Sequence, residues 1–430
     1  MIKKKIISRL RPDLPFAVAS SLQGTQNAMD GSASLPIRSA TYKPDSDVHS
    51  KANASFNSPA ISFFLVILAF FIHPYFLIII AAGIQLYVRV NARGFFSICS
   101  LSLAIFWSSR NLFVGDDVVG YVMDFNSMQL ASISSLAKVF FVNPSGNELL
   151  YRLYVYFISI FTSDEKIFIF IMYFTIAALT SVLCVLVTRR YSIVMMALLF
   201  FGIGGFIDQA ALHLWRSTLG GLLFIISAVL YSKNRPMAIL LLLCSILVHI
   251  SLVIFIPFLI YINYFKSRRK VFISVILSLI LTIVIAYYLG FFNSLSQGRL
   301  SVYFIASGSS IDLISIYICV VILIYIFLNK SNIENLPATS IMTLSFMAWC
   351  GVLYPNASMF YGRYFYSLLP FITLLSLDIV MRVKYKPVIF FILFILFIMK
   401  IAAFQNSVFY KEGFGDVSFF FSGPFSMLLQ

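Results

Sequence analysis

The stretch Asp208–Ile254, DQAALHLWRSTLGGLLFIISAVLYSKNRPMAILLLLCSILVHISLVI, decides the fold class. Two solid apolar runs flank the basic turn YSKNRP, and each has an ionisable residue at one end, Arg216 and His249. A charge in or beside hydrocarbon is costly and is rarely kept without a task. Solid apolar blocks of this kind are membrane helices, since a β-barrel would alternate polar and apolar residues in short strands.

The rest of the chain reads the same way. Of 430 residues, 60% are hydrophobic and 11% charged, with mean hydropathy +0.95. Soluble domains are about half apolar and about a quarter charged. Several runs exceed what is needed to cross a hydrocarbon core of roughly 30 Å. The expected fold is all-α, a polytopic transmembrane helical bundle.

The net charge of +15 would suit nucleic acid, but its distribution argues against that partner. Basic residues gather in short loops: Arg89/Arg93, Arg189/Arg190, Lys233/Arg235, Lys266/Arg268/Arg269/Lys270 and Arg382/Lys384/Lys386. Such loops face the cytoplasm. Six acids, Asp116, Asp117, Asp124, Glu148, Asp164 and Glu165, fall instead in one connection, Arg110–Glu165. The five cysteines lie in apolar segments without disulfide or zinc spacing.

Residues 1–55 are rich in Ser, Pro, Asn, Asp and Lys and lack a long apolar region. They are expected to be a disordered cytoplasmic tail rather than a signal peptide. A start at Met29 is the alternative. Residues 56–430 form the membrane domain, with residues 110–165 as its outer loop. Spans are expected at Gly94–Ser109, Lys166–Val187, Tyr191–Ile207, Ser217–Tyr231, Val271–Leu289, Leu313–Leu328, Ala338–Leu353, Tyr364–Met381 and Val388–Phe404. Ala60–Val88 and Pro236–Phe265 are long for one span and short for two, and each has a histidine near its middle. Basic residues on both flanks favour hairpins, giving about 13 helices, against about 11 if each crosses once. Outside the cytoplasm this leaves the acidic connection, a short Asp208–Arg216 turn, and segments Phe291–Asp312 and Tyr354–Arg363. In the acidic connection, GNELLYRLYVYFISIF puts Leu149, Leu153 and Phe157 on one helical face, with Glu148 and Arg152 beside it.

Several residues could carry chemistry. Arg216 opens a helix at the outer face, where a guanidinium fork and backbone donors suit phosphate oxygens. A snorkelling arginine beside Trp215 is the alternative. His213 lies three residues earlier on the same side. His249 suits acid–base work or a hydrogen bond to a diphosphate; a neutral core histidine is the alternative. His73, before Pro74, reads as structural. Arg299 and Arg363 each follow a glycine and precede aromatics on outer connections. Three outer arginines against the charge bias point to an anionic ligand. Asp116 and Asp117, in FVGDDVVGYVMDF, are candidate bases or solvated loop acids. The GDDVV segment has no DxD spacing, and HExxH, GxSxG and P-loop patterns are absent.

WRSTLGGLLFIIS, a basic turn and ILLLLCSILVHISLVI resemble the EpsG-type branch of bacterial polysaccharide polymerases. In that pattern an arginine opens a helix and a histidine follows one hairpin later, matched by Arg216 and by His249 with Ser251. GDDVVGYVMDF resembles the family's aspartate–tyrosine pattern, matched by Asp117 (or Asp116) and Tyr121. GRYFYSLLP resembles its late arginine–aromatic segment, matched by Arg363 and Tyr364. The likeness runs from about Gly94 to Phe404. Where the family pattern has glutamine after the arginine, this chain has Ser217.

The resemblance implies a Wzy-like enzyme with a fold related to the GT-C glycosyltransferases. Such an enzyme joins undecaprenyl-diphosphate-linked oligosaccharides outside the bacterial inner membrane, making O-antigen, capsule or exopolysaccharide. It implies the bilayer and a chain-length regulator protein as partners, and neither a metal nor another cofactor, because the diphosphate is already a good leaving group. Arg216, Arg299 and Arg363 would then hold the diphosphate. His249 and Asp117 or Asp116 would be catalytic, and His213, Tyr121 and Tyr364 would line the substrate path. A flippase for similar substrates is a rival, although the expected apolar spans carry a single acid, Asp378. A non-polymerising glycosyl- or acyltransferase is another.

Overall fold

The computed structural model describes residues 59–88, 90, 92–111, 117–129, 148–202, 207–256, 259, 267, 269–278, 280, 284, 313–328, 335–353, 368–382, 385–406, 408–414 and 422–428. The expected cytoplasmic tail, residues 1–55, lies outside them. Among the described residues there are seventeen helical elements and no strand. Two helices are long and apolar enough to cross a membrane by length and composition, Glu165–Val187 and Lys386–Phe404.

The described helical elements outnumber the expected 11–13 because helices also form in the acidic connection, in the Asp208–Arg216 segment and after Phe404. Ala60–Val88 divides at His73 into α1 (Pro59–Phe71) and α2 (Pro74–Tyr87). Pro74 has no N–H to give a preceding turn and is tolerated only at a helix start. His73 caps that start, its Nδ1 accepting from the Tyr75 N–H at 3.2 Å. After α3 (Ala92–Ser108) the acidic connection contributes α4 (Val118–Gln129) and α5 (Leu149–Phe161). Next come α6 (Glu165–Val187), α7 (Ser192–Phe201), α8 (Ile207–His213), α9 (Trp215–Leu230) and α10 (Arg235–Val248). A 3-10 turn, Ile250–Phe255, follows His249. The later helices are α11 (Leu313–Leu328), α12 (Asn335–Leu353), α13 (Pro370–Arg382), α14 (Lys386–Asn406), α15 (Val408–Phe414) and α16 (Pro424–Leu428).

One connection differs from its expected form. Asp208–Arg216 is not a short turn but mostly the helix α8, with Asp208 fully buried. Its carboxylate can stay inside because Lys400 of α14 meets it there.

Several helices carry apolar residues on their outward faces. On α5, Leu149, Leu153 and Phe157 are exposed, while Tyr151, Arg152, Val155 and Ile158 are buried. On α10, Leu240, Leu243 and Leu247 are exposed while Ala238 and Ser245 are buried. On α14, Phe391, Ile392, Phe394, Ile398 and Met399 face out. Water would penalise such an arrangement, whereas lipid favours it, with small and polar residues at helix contacts. The interior is aromatic: Trp107, Trp215, Tyr173, Phe168 and Phe200 are all fully buried.

Candidate functional site

The pair α9 and α10 builds most of the site. After Leu230 the chain turns tightly, the N–H groups of Lys233 and Asn234 both donating to the Leu230 carbonyl. Asn234 then caps α10, accepting from the Met237 N–H at 3.3 Å, and Pro236 occupies its first turn. Across the pair, Ser227 Oγ donates to the Ala238 carbonyl at 2.7 Å. α9 has 16 residues and α10 has 14, so at about 1.5 Å per residue their far ends are nearly level. That matched length brings Arg216, at the start of one, beside His249, at the end of the other.

Gly220 sets how closely the two helices approach. A Cβ on it would lie 2.9 Å from His249 Cβ and 3.2 Å from the Ser245 carbonyl oxygen. Only glycine permits this contact, one turn beyond Arg216.

Glu148 joins the Arg216 and His249 side chains. Arg216 Nη1 donates to Glu148 Oε2 at 2.7 Å, and His249 Nδ1 lies 2.6 Å from Glu148 Oε1. The carboxylate sits at the N-cap of α5 but makes no side-chain cap bond there. Its side chain is only 8% exposed, against 21% for Arg216 and 15% for His249. An ionised carboxylate only accepts, so His249 donates from Nδ1, and Nε2 is the ring's other nitrogen, an acceptor when the ring is neutral. Ser217 Oγ stands 3.3 Å from that Nε2. The result is a line of Ser217, His249, Glu148 and Arg216.

Aromatic rings enclose the guanidinium. Arg216 lies 5.3 Å from the Tyr121 ring centroid and 5.9 Å from that of Tyr151. Tyr121 stacks on Trp215, centroids 5.1 Å apart. Burial pushes the Tyr121 hydroxyl up to about 12, although the neighbouring Arg216 pulls it down. The phenol therefore stays protonated and is held as a neutral hydrogen-bond partner of Arg216. Its helix, α4, is fixed by Phe125 stacking on Phe168 at 4.3 Å and by Asn126 Nδ2 donating to Glu165 Oε1 at 2.6 Å. Burial also raises the Asp124 carboxyl, against the opposing pull of Arg216 and Arg152.

Of the residues singled out by sequence, Arg216, His249 and Tyr121 converge. Asp117 sits one turn before Tyr121, its carbonyl accepting the Tyr121 N–H at 3.2 Å, and its charge reaches that ring. His213 ends α8 and is partly exposed. Asp116, Arg299, Arg363 and Tyr364 lie outside the described residues. Glu148 was legible only as an acid flanking an apolar helix, and nothing in its local sequence names its partners. Among the described residues, no group of His, Cys, Asp and Glu could hold a metal ion.

An all-helical membrane protein with a buried carboxylate between an arginine and a histidine is the class that fold and site define. The chain belongs to the EpsG family, whose model matches residues 93–415 and so takes in Glu148, Arg216 and His249. That membership makes it a polysaccharide-biosynthesis protein of a family associated with glycosyltransferase-like polymerase activity. No match is found among curated proteins or among solved structures.

Proposed function

We propose that this chain is a polysaccharide polymerase of the bacterial inner membrane, multi-pass, joining undecaprenyl-diphosphate-linked oligosaccharides at the outer face. The observation that carries the reading is the Arg216–Glu148–His249 bridge inside the family match. In this reading the acceptor sugar hydroxyl gives its proton to His249 Nε2 as its oxygen bonds to the anomeric carbon of the donor. The bond from that carbon to undecaprenyl diphosphate breaks, and negative charge grows on the leaving diphosphate. Arg216, already oriented by Glu148 and Tyr121, stabilises that charge without reorganising. Glu148 holds the imidazole in the tautomer that accepts a proton. Tyr121 and His213 belong to the substrate path. Arg299, Arg363 and Tyr364 keep their proposed roles at the diphosphate and glycan, and Asp117 or Asp116 is the rival base. The bilayer and a chain-length regulator are the expected partners.

The test is deletion of the gene, with return of wild type or Arg216→Ala and surface polysaccharide read on a gel. Deletion should remove long chains and leave at most one repeat unit on the lipid core. Arg216→Ala, at wild-type membrane level, should do the same. Unchanged long chains on deletion would sink the polymerase reading.

A second reading is favoured by one contact. Ser217, His249 and Glu148 stand in the order nucleophile, base and orienter, as in acyl transfer through a serine. A non-polymerising acyltransferase would need the Ser217 hydroxyl itself, which separates the two readings by a single substitution.

A further inference from the structure

A second charged cluster lies on other helices. Lys400 stands in α14, KPVIFFILFILFIMKIAAFQN, with apolar residues on either side. It is 14 residues beyond Lys386 in sequence, about 21 Å along a helix, so it is remote from the basic loop that ends there. Its Nζ donates to Asp208 Oδ1 at 2.5 Å and to the Phe200 carbonyl at 2.7 Å. Asp208 is fully buried and also accepts from the Tyr75 hydroxyl at 3.3 Å. The Phe200 carbonyl belongs to the last turn of α7, where carbonyls lack helical partners. Asp208 belongs to the first turn of α8. One ammonium thus holds the end of one short helix and the beginning of the next.

From α8 the restraint runs directly into the site. The Ala210 carbonyl accepts both the Leu214 N–H at 2.9 Å and the Thr218 hydroxyl at 2.7 Å. Tyr173 OH donates to the Leu212 carbonyl at 3.4 Å. α8 is therefore bonded to the first turn of α9, the turn that carries Trp215, Arg216 and Ser217. A buried charge pair is a poor source of stability compared with packed leucines, because desolvation consumes its attraction. What such a pair supplies instead is direction.

We propose that Lys400 and Asp208 are a positioning pair, which fixes the α8–α9 elbow and so the place of Arg216 at the site. The proposal rests on the polymerase reading for the activity it would affect, but its geometry is read separately.

The experiment uses the full chain with Trp107→Phe and Trp349→Phe, leaving Trp215 on the elbow as the single tryptophan. Asp208→Asn/Lys400→Met removes both charges without stranding either; Lys400→Arg keeps the cation. Acrylamide quenching of Trp215 is measured on the purified protein, and polymer length is measured in cells. The double variant should purify at the wild-type level, with quenching raised about twofold by local loosening. Its polymer output should fall about 100-fold, the scale of a 1 Å misplacement. Lys400→Arg should keep both readouts near wild type. Unchanged quenching in the folded double variant overturns the proposal, whatever happens to polymer. Where deletion of the gene abolishes long chains, normal polymer output despite raised quenching overturns it too. A double variant that cannot be purified makes the pair a folding requirement and overturns it as well. If quenching responds as expected but deletion of the gene leaves long chains intact, the elbow assignment stands and the polymerase reading falls.

Discussion

Gly220→Ala tests the dependence of the site on helix approach. The added Cβ would stand 2.9 Å from His249 Cβ, 2.9 Å from Leu252 Cδ1 and 3.2 Å from the Ser245 carbonyl oxygen, where ordinary contact begins at 3.4 Å. The Leu252 methyl can rotate aside. Ser245 O and His249 Cβ are fixed to the α10 backbone and its continuation, so the two helices must part by about 0.5 Å or more, as overpacked cores do. The contact between Ser217 Oγ and His249 Nε2 is already 3.3 Å, and the same displacement carries it beyond hydrogen-bond reach of roughly 3.5 Å. Overpacking of this kind costs about 1–3 kcal/mol, enough to lower the melting temperature by a few degrees. Misplacement of a catalytic base by up to an ångström costs up to about 100-fold in rate. The assay returns Gly220→Ala to the deletion strain at equal membrane level, with chain length read on a gel and melting followed on purified protein. Gly220→Ala/Leu252→Ala is the control. It removes the flexible neighbour but leaves the two backbone-linked ones, so activity should stay low. A Gly220→Ala protein with wild-type chains and unchanged melting would refute the reasoning that close approach of α9 and α10 sets the site.

Glu148→Gln keeps the shape of the bridge but removes its charge, and the amide cannot accept from Arg216 and His249 with both oxygens. Polymer output should fall about 100-fold, the scale of a lost general base; output within twofold of wild type, on a gel at equal protein level, would remove Glu148 from the machinery. Ser217→Ala should leave chain elongation within about threefold of wild type, a loss no larger than one weak hydrogen bond, and complete loss at normal protein level would favour acyl transfer through Ser217. The Asp124 carboxyl is raised by burial above its ordinary 3.8, so folding favours its protonated form. Its contribution to stability is present below the unfolded pKa and lost as pH rises through the folded one. Asp124→Asn should therefore melt higher than wild type at neutral pH, with the difference closing as pH falls toward the carboxyl range; an equal or lower melting temperature at neutral pH contradicts this.

Local chemistry made much of the fold legible. The apolar runs gave helices at nearly their expected limits, as with Leu313–Leu328. Pro74 and Pro236 marked helix starts, and Arg216 and His249 stood out because ionisable groups are rare beside hydrocarbon. The inward face of α5 was less legible. Its regular row of Leu149, Leu153 and Phe157 reads as a face to be buried in a soluble protein, yet it is the exposed side here. The Asp208–Arg216 segment is short and carries ionisable residues at both ends, which reads as a turn, and α8 is held by the bonds its neighbours make to it. Lys400 was hidden by the length of the apolar run around it.

What the sequence determined by itself is therefore the class of element, the family pattern and three of the residues that meet in the site. What only the tertiary structure decided is which charges neutralise which. Glu148 lies 68 residues from Arg216 and 101 from His249, and Asp208 lies 192 from Lys400. Helical periodicity reports a side chain's neighbours three and four residues away, and carries no information over such distances. A buried carboxylate still requires a partner. The packing of α5 against the α9–α10 pair, and of α14 against α7 and α8, supplied one to each.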